Sequence, residues 1–279
     1  MIAVTPIIRP KTNARSTLDI RPRKGEMVKP VELIEIKGAA RLTLADRRLF
    51  NMLLRNAFGP SLATENRRFE ILLSDLRDSH ESNDRLVQSV EALMTTVVTV
   101  KHTDGSTDRV QLLGWNNLSD PRRRRGAFKY AIPPELALLL RDSTVFAKLE
   151  LEVLRSFTSK YALTLYEAVA RRIRGRKSNS ERFTLEDFRE ILGVESNKLE
   201  TFGNLNQYAI KPALAEVNAL SDFLVVAEPQ KTGRRVTAIL LRWGTKSLQQ
   251  RQMMKAGAAQ TTSGAIHTET DVLPPGHVQ

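Results

Sequence analysis

Two hydrophobic rhythms divide the chain between Lys198 and Trp243. Leu205, Ala209, Ile210, Ala213, Leu214, Val217 and Leu220 recur at spacings of three and four, which predicts the apolar stripe of one α-helix. Asn204, Gln207, Tyr208, Lys211, Ala215 and Asn218 fall on another face of that helix and offer amides, a phenol and an ammonium to solvent. Phe223 to Glu228 and Arg235 to Trp243 then read as strands, with Lys231, Thr232, Gly233 and Arg234 at a basic turn between them. Upstream, Ala162, Leu165, Tyr166, Val169 and Ile173 predict a helix beginning near Ser159, and Arg182-Phe183 a short strand. Thr184 caps a further helix whose first turn carries Glu186 and Asp187, favourable at the positive helix end. Leu185, Phe188 and Ile191 are its core face, and Gly193 is a natural residue to end it.

The first half follows the same order. After a weakly alternating strand from Val31 to Lys37, Leu42, Ala45, Leu49, Phe50, Leu53, Leu54 and Ala57 predict a helix that stops at Gly59-Pro60. Phe69 and Ile71 mark a short strand, and Ser74 is read as the N-cap of a short helix from Asp75 to Asp78. A longer helix from Asn83 or Asp84 turns Leu86, Val87, Val90, Leu93 and Met94 inward. Val97 to Lys101, a turn at Asp104-Gly105, and Arg109 to Trp115 form a hairpin, with Trp115 ending it as Trp243 ends the later one. A strand from Ala127 to Ile132 and a helix opened by Pro133-Pro134 complete the half. Each hairpin is too small to stand alone and must pack on its helices. The fold class predicted is therefore α+β: tandem winged helix-turn-helix domains related by internal duplication.

Composition sets the boundaries. Residues 1–30 hold four prolines and seven Lys or Arg with no periodicity, which predicts a disordered basic arm. Residues 31–146 are expected to form the N-terminal winged-helix domain and 147–245 the C-terminal one. Residues 246–279, rich in Gln, Ala, Thr, Gly and Pro, are expected to be a disordered tail. At 279 residues both domains can bury a core, and the net charge of +12 favours an anionic partner, nucleic acid being the commonest. The alternative is a basic surface kept for solubility. With no cysteine there is no disulfide framework, thiolate zinc site or cysteine nucleophile. No apolar run approaches the ~18 residues of a membrane span. A cytoplasmic protein that does not engage a membrane is expected.

The candidate DNA contacts lie on both halves. On the helix face, Lys211 is expected at a phosphate or guanine edge, and Asn204, Asn206 and Gln207 at base edges, with Lys198 leading into the helix. At the second hairpin Lys231, Arg234 and Arg235 are placed to straddle a minor groove or bind phosphates; strand alternation would put Arg234 and Arg235 on opposite sides. Arg171 and Arg174 belong to the densest basic run, at a helix end where cations also suit the helix dipole. Arg122, Arg123, Arg124 and Arg125 either clamp backbone or form a solvated loop that discourages edge pairing.

The stretches SKYALTLYEAVARR from Ser159, FTLEDFREILGV from Phe183, IKPALAEVNALSDF from Ile210 and GRRVTAILLRW from Gly233 resemble, in order and spacing, the iteron-binding plasmid replication initiators, a family with two winged-helix domains. The resemblance covers most of Lys148 to Trp243; in the first half it is one of architecture. It implies a C-terminal domain that reads direct repeats at a plasmid origin in double-stranded DNA. It implies an N-terminal domain that adds DNA contacts in monomers and becomes the interface of dimers that repress their own promoter, and loading of the host replication initiator and the replicative helicase. One departure stands out: where family members place two or three Arg or Lys before the Pro-Ala of the recognition helix, this chain has Asn206, Gln207 and Tyr208. Asn and Gln prefer adenine, so base preference should differ. Pro212 either kinks the helix or starts a new helical segment.

Catalysis has little support. No phosphate-cradling Gly-x-x-x-x-Gly-Lys-Ser/Thr loop occurs, and His80, His102, His267 and His277 are isolated from one another, without the closely spaced pair a rolling-circle nickase needs. Glu186 with Asp187, and Glu150 with Glu152, are explained by capping and solvated alternation. No cofactor or metal is expected and the protein is read as no enzyme. The rivals to an initiator are a winged-helix transcriptional repressor acting at a promoter, and an interaction protein whose basic surface meets an acidic partner.

Overall fold

The computed structural model describes residues 15–76, 83–101, 106–119, 126–175, 178–247 and 249–250. The chain enters through a short 3-10 turn at Thr17–Asp19 and strand β1 (Glu26–Pro30). Helix α1 (Leu44–Ala57) begins in a capping box: the Thr43 hydroxyl accepts the Asp46 N–H at 3.3 Å, and the Asp46 carboxylate accepts the Thr43 N–H at 2.7 Å. The other oxygen of Asp46 accepts the Ser89 hydroxyl at 2.6 Å, tying α1 to helix α3 (Asn83–Thr95). Between them lie strand β2 (Phe69–Leu72) and helix α2 (Leu73–Leu76). The hairpin β3 (Val97–Lys101) and β4 (Thr107–Gln111) follows, then β5 (Asn116–Leu118), β6 (Ala127–Tyr130) and helix α4 (Pro134–Asp142).

Strand β7 (Phe146–Glu150) leads through helix α5 (Leu151–Ser156) into α6 (Lys160–Gly175). Strand β8 (Ser180–Thr184) and helix α7 (Leu185–Leu192) precede helix α8 (Phe202–Leu205), a π-helical turn at Asn206–Ile210 and helix α9 (Lys211–Leu220). The strands β9 (Phe223–Thr232) and β10 (Arg235–Thr245) form the last hairpin. The order α1, β2, α2, α3, hairpin therefore recurs as α6, β8, α7, α8–α9, hairpin, as the hydrophobic pattern predicts. The two sheets nevertheless close differently. In the second unit the returning strand β10 lies between β8 and β9, whereas in the first β2 pairs with β6, and β3 and β4 form a separate two-stranded ribbon.

Four expectations need correction. Ser74 is no N-cap but lies inside α2 (Leu73–Leu76). The arm expected over 1–30 contains an ordered strand: β1 pairs antiparallel with β7, from Glu26 opposite Glu150 to Pro30 opposite Phe146, and Met27 and Val28 are buried. Residues 1–14 lie outside the described residues. The strand expected from Val31 to Lys37 is instead a 3-10 turn at Val31–Leu33, because β1 has already supplied the pairing. Trp115 does not end a strand; it is half-exposed beyond β4 with the Arg68 guanidinium 4.1 Å from its ring centre, whereas Trp243 is buried within β10. The expected turn at Asp104-Gly105 lies outside the described residues.

Helix α6 packs between the two halves. The Lys29 ammonium on β1 donates to both oxygens of Glu167 on α6, at 2.8 and 2.9 Å, and to the Asn51 carbonyl on α1 at 2.9 Å. The Asn51 amide returns a bond to Glu167 at 2.9 Å, so every member of this buried cluster is satisfied. One turn on, Arg171 reaches Glu35 at 2.6 Å, and Arg172 reaches Glu35 and, at 2.8 Å, Glu181. Both arginines are buried, and they hold the Glu35 carboxyl below the usual carboxylate range although burial opposes it.

Candidate nucleic-acid interface

Local chemistry builds the helix-turn-helix. The Thr184 hydroxyl accepts the Asp187 N–H at 3.0 Å and starts α7, and Gly193, at φ 68°, ends it in the left-handed conformation that glycine favours. Thr201 starts α8 by accepting the Asn204 N–H at 3.2 Å. At Asn206–Ile210 the helix widens by one residue: the Lys211 N–H reaches the Asn206 carbonyl, five residues back. Pro212 explains this, since it donates no hydrogen bond and its ring would strike the carbonyl four residues earlier in a regular α-helix. Pro212 sits in the first turn of α9, so of the two alternatives it starts a new helical segment.

Leu205, Ala209, Ile210, Ala213 and Val217 are buried as the stripe predicts, with Leu214 half-buried and Leu220 exposed at the end of α9. The end of α5 and the start of α6 are joined to α9 through Glu216, which accepts the Thr158 N–H at 2.8 Å and its hydroxyl at 2.9 Å. At the far end the buried Lys246 ammonium donates to the carbonyls of Asn218 and Ser221. The C-terminal half of the helix is thus fastened twice, and its other face is left to solvent.

That face carries Asn204, Gln207, Tyr208 and Lys211, all exposed, with Asn206 half-buried beside them. Lys198 is exposed and paired with Glu195 at 2.8 Å, which lifts its ammonium above the ordinary lysine value. Asn218 leaves the group: its side chain accepts the Val225 N–H at 2.7 Å and donates to the Val225 carbonyl at 2.8 Å, stapling α9 to β9. In the hairpin the turn is only Gly233-Arg234, with Arg235 opposite Thr232 and Gly233 at φ 61°. Arg234 therefore sits at the tip itself, so strand alternation does not apply to it, and Lys231, Arg234 and Arg235 are all exposed.

The basic run at the end of α6 divides. Arg171 faces inward to Glu35 and is withdrawn from the candidate surface, because its guanidinium is buried and its charge is already paired with that carboxylate. Arg174 is exposed and lies over the Phe146 ring at 4.6 Å. Arg122, Arg123, Arg124 and Arg125 lie outside the described residues. Thr201, which sets the start of the exposed helix, lies outside the apolar stripe, and its only signal in the sequence is that Thr is a favoured N-cap residue. Among the described residues no group of three or more His, Cys, Asp or Glu converges on a metal position, and no helix is long and apolar enough to cross a membrane.

Comparison with known proteins agrees with this geometry. Residues 26–170 match the family described as initiator replication protein, WH1, and residues 184–243 match initiator Rep protein, WH2. A replication initiation protein of Escherichia coli is 26% identical over 161 residues, covering 56% of this chain and 48% of that protein, so the match spans about half of that relative's length. The WH1 match begins at β1 and ends within α6, which places Lys29 and Glu167 in one matched region. The chain belongs to the initiator replication protein family, with its WH1 and WH2 winged-helix units in tandem.

Proposed function

We propose that the protein initiates plasmid replication by binding repeated sites at an origin, and that it does so by binding alone, without catalysis. One observation carries this reading: in a chain of the initiator family, the solvent face of α8–α9 presents Asn204, Gln207 and Lys211 beside a hairpin tip bearing Lys231, Arg234 and Arg235. The helix enters the major groove, its amides meet base edges, and the hairpin cations bind flanking backbone. Two amides where other members carry cations favour adenine in the site. Binding free energy is the driving force for bending and opening the duplex, since the sequence holds no P-loop. Self-association, and contacts with the host initiator and replicative helicase, belong to the same reading in a cytoplasmic, nucleoid-associated protein. They rest on the family.

A footprint of the purified protein on DNA flanking its gene, at several salt concentrations, tests it. Protection of direct repeats spaced by whole helical turns is the expected result, with log affinity falling against log salt by ~0.9 per phosphate neutralised. Protection that ignores sequence would reject the reading, and protection of one inverted site alone would replace it by promoter repression.

A further inference from the structure

Arg189 lies in the last turn of α7 and is half-buried. Its guanidinium converges on three carbonyls of the segment that joins α7 to α8. Nη1 donates to Leu199 at 2.6 Å, and Nη2 donates to Glu195 at 3.2 Å and also to Lys198. That segment needs holding. Leu199 has φ 53°, a left-handed conformation unfavourable for a residue with a side chain, and among the described residues only Asn66 shares it outside glycine. Two residues later Thr201 caps α8, so the backbone that Arg189 grips sets where Lys198, Asn204 and Gln207 stand.

We propose that Arg189 is a positioning residue for sequence reading: it touches no DNA, but its fork fixes the turn of the helix-turn-helix and with it the register of the exposed helix. This rests on the DNA-reading role given to that helix. The fork is specific to arginine, because a lysine ammonium is a point donor and lacks the planar pair of nitrogens that here spans Leu199, Lys198 and Glu195. Without it Leu199 relaxes to negative φ, and the peptides on either side of it rotate. The side chains that meet base edges then shift, while the cations of the hairpin tip, on a separate element, stay in place.

The test compares a duplex carrying the footprinted repeat with a scrambled duplex of equal length, using wild type, Arg189→Lys, Arg189→Ala and the double variant Arg189→Lys/Leu199→Gly. Arg189→Lys should lose affinity for the repeat by roughly 5- to 150-fold, the loss of about one base contact, and keep its affinity for the scrambled duplex. Glycine accepts positive φ without strain, so the double variant should recover part of the discrimination. Should Arg189→Ala unfold, Arg189→Lys carries the same comparison. Equal losses on both duplexes, or no loss on either, would overturn the proposal. Wild type that binds the two duplexes alike would instead overturn the DNA-reading role itself, and the proposal with it.

Discussion

Removing one partner of the buried pair between β1 and α6 should cost far more than removing both. The side chains of Lys29 and Glu167 are 5% and 1% exposed and meet at 2.8 Å. In Glu167→Gln the ammonium keeps amide oxygens for partners but no charge to neutralise it, and breaking a buried pair in this way costs roughly 3–5 kcal/mol. Lys29→Met leaves the Glu167 carboxylate with the Asn51 amide alone, at a similar cost. In the double variant the Gln amide faces the Asn51 amide beside an apolar Met, and neither member of the pair is left as a lone charge, although the neighbouring buried Arg47 guanidinium still loses the attraction of Glu167. Its loss should therefore be smaller than either single loss, with strong coupling in a double-mutant cycle followed by urea unfolding. Single losses that simply add would refute the argument.

The pH dependence gives a second readout of the same cycle. Burial is the largest influence on Lys29 and lowers its pKa, while Glu167 opposes it. A lysine with a depressed folded pKa binds fewer protons folded than unfolded. Its penalty is therefore present at low pH and disappears as pH rises to the unfolded value of ~10.4. Taking Glu167 away deepens the depression, so Glu167→Gln should regain stability between the folded and unfolded values at up to about 1.4 kcal/mol per pH unit. A flat profile over the alkaline range would mean that Lys29 finds another partner or water in the variant.

Three further outcomes follow from individual side chains. Glu32 is buried with Oε2 lacking a hydrogen-bond partner among the described residues, and burial pushes its carboxyl from 4.5 up to about 7. A raised folded pKa favours the fold below the unfolded value and loses that contribution as pH rises to the folded one. Glu32→Gln should thus gain roughly 2–3 kcal/mol on wild type between about pH 5 and pH 8 in chemical unfolding, and equal pH profiles would contradict this. Lys211→Ala should weaken binding to the repeat by roughly 1–3 kcal/mol if the ammonium meets a base edge, and unchanged affinity in a titration would remove it from the contact set. Arg171→Ala should destabilise the fold by stranding Glu35 between fewer cations, yet leave the salt slope of DNA binding unchanged; a slope reduced by ~0.9 would return it to the interface.

What could be read from the chain was what is decided locally. The stripe of α8–α9, the Thr184 cap and the Gly193 terminus each depend on residues within one or two turns. Periodicity and cap chemistry capture them. What escaped depends on distant partners. β1 reads as part of a basic arm because Lys29 looks like a surface cation until Glu167, 138 residues away, neutralises it. Arg171 looks like the head of a basic patch until Glu35 draws it inward. Asn218 stands on the polar face by spacing, but its amide matches the Val225 peptide brought up by β9. The π-helical turn lies between these cases: Pro212 announces an irregularity, but whether it becomes a kink or a wider turn depends on the packing of Ala209 and Ile210 against the core.

Helix α6 is in contact with both the first winged unit and the helix that carries the exposed face. Glu167, Arg171 and Arg172 on it engage Lys29, Asn51 and Glu35 from the first unit, while Ala162, Leu165 and Val169 are fully buried in the core behind α9. The segment entering α6 is fastened to α9 by Thr158 and Glu216, and the Tyr166 ring packs 5.4 Å from Phe223, the first residue of β9. The charges that join the units and the contacts that carry the polar helix face thus hang on the same sixteen-residue helix. Displacing one unit from the other must break paired charges buried beside α6, and that cost grows steeply once a single ion is left unpaired. On the proposed DNA-binding reading, the alignment of the cationic hairpin with the first unit would therefore be set by side chains buried around α6 and away from the duplex.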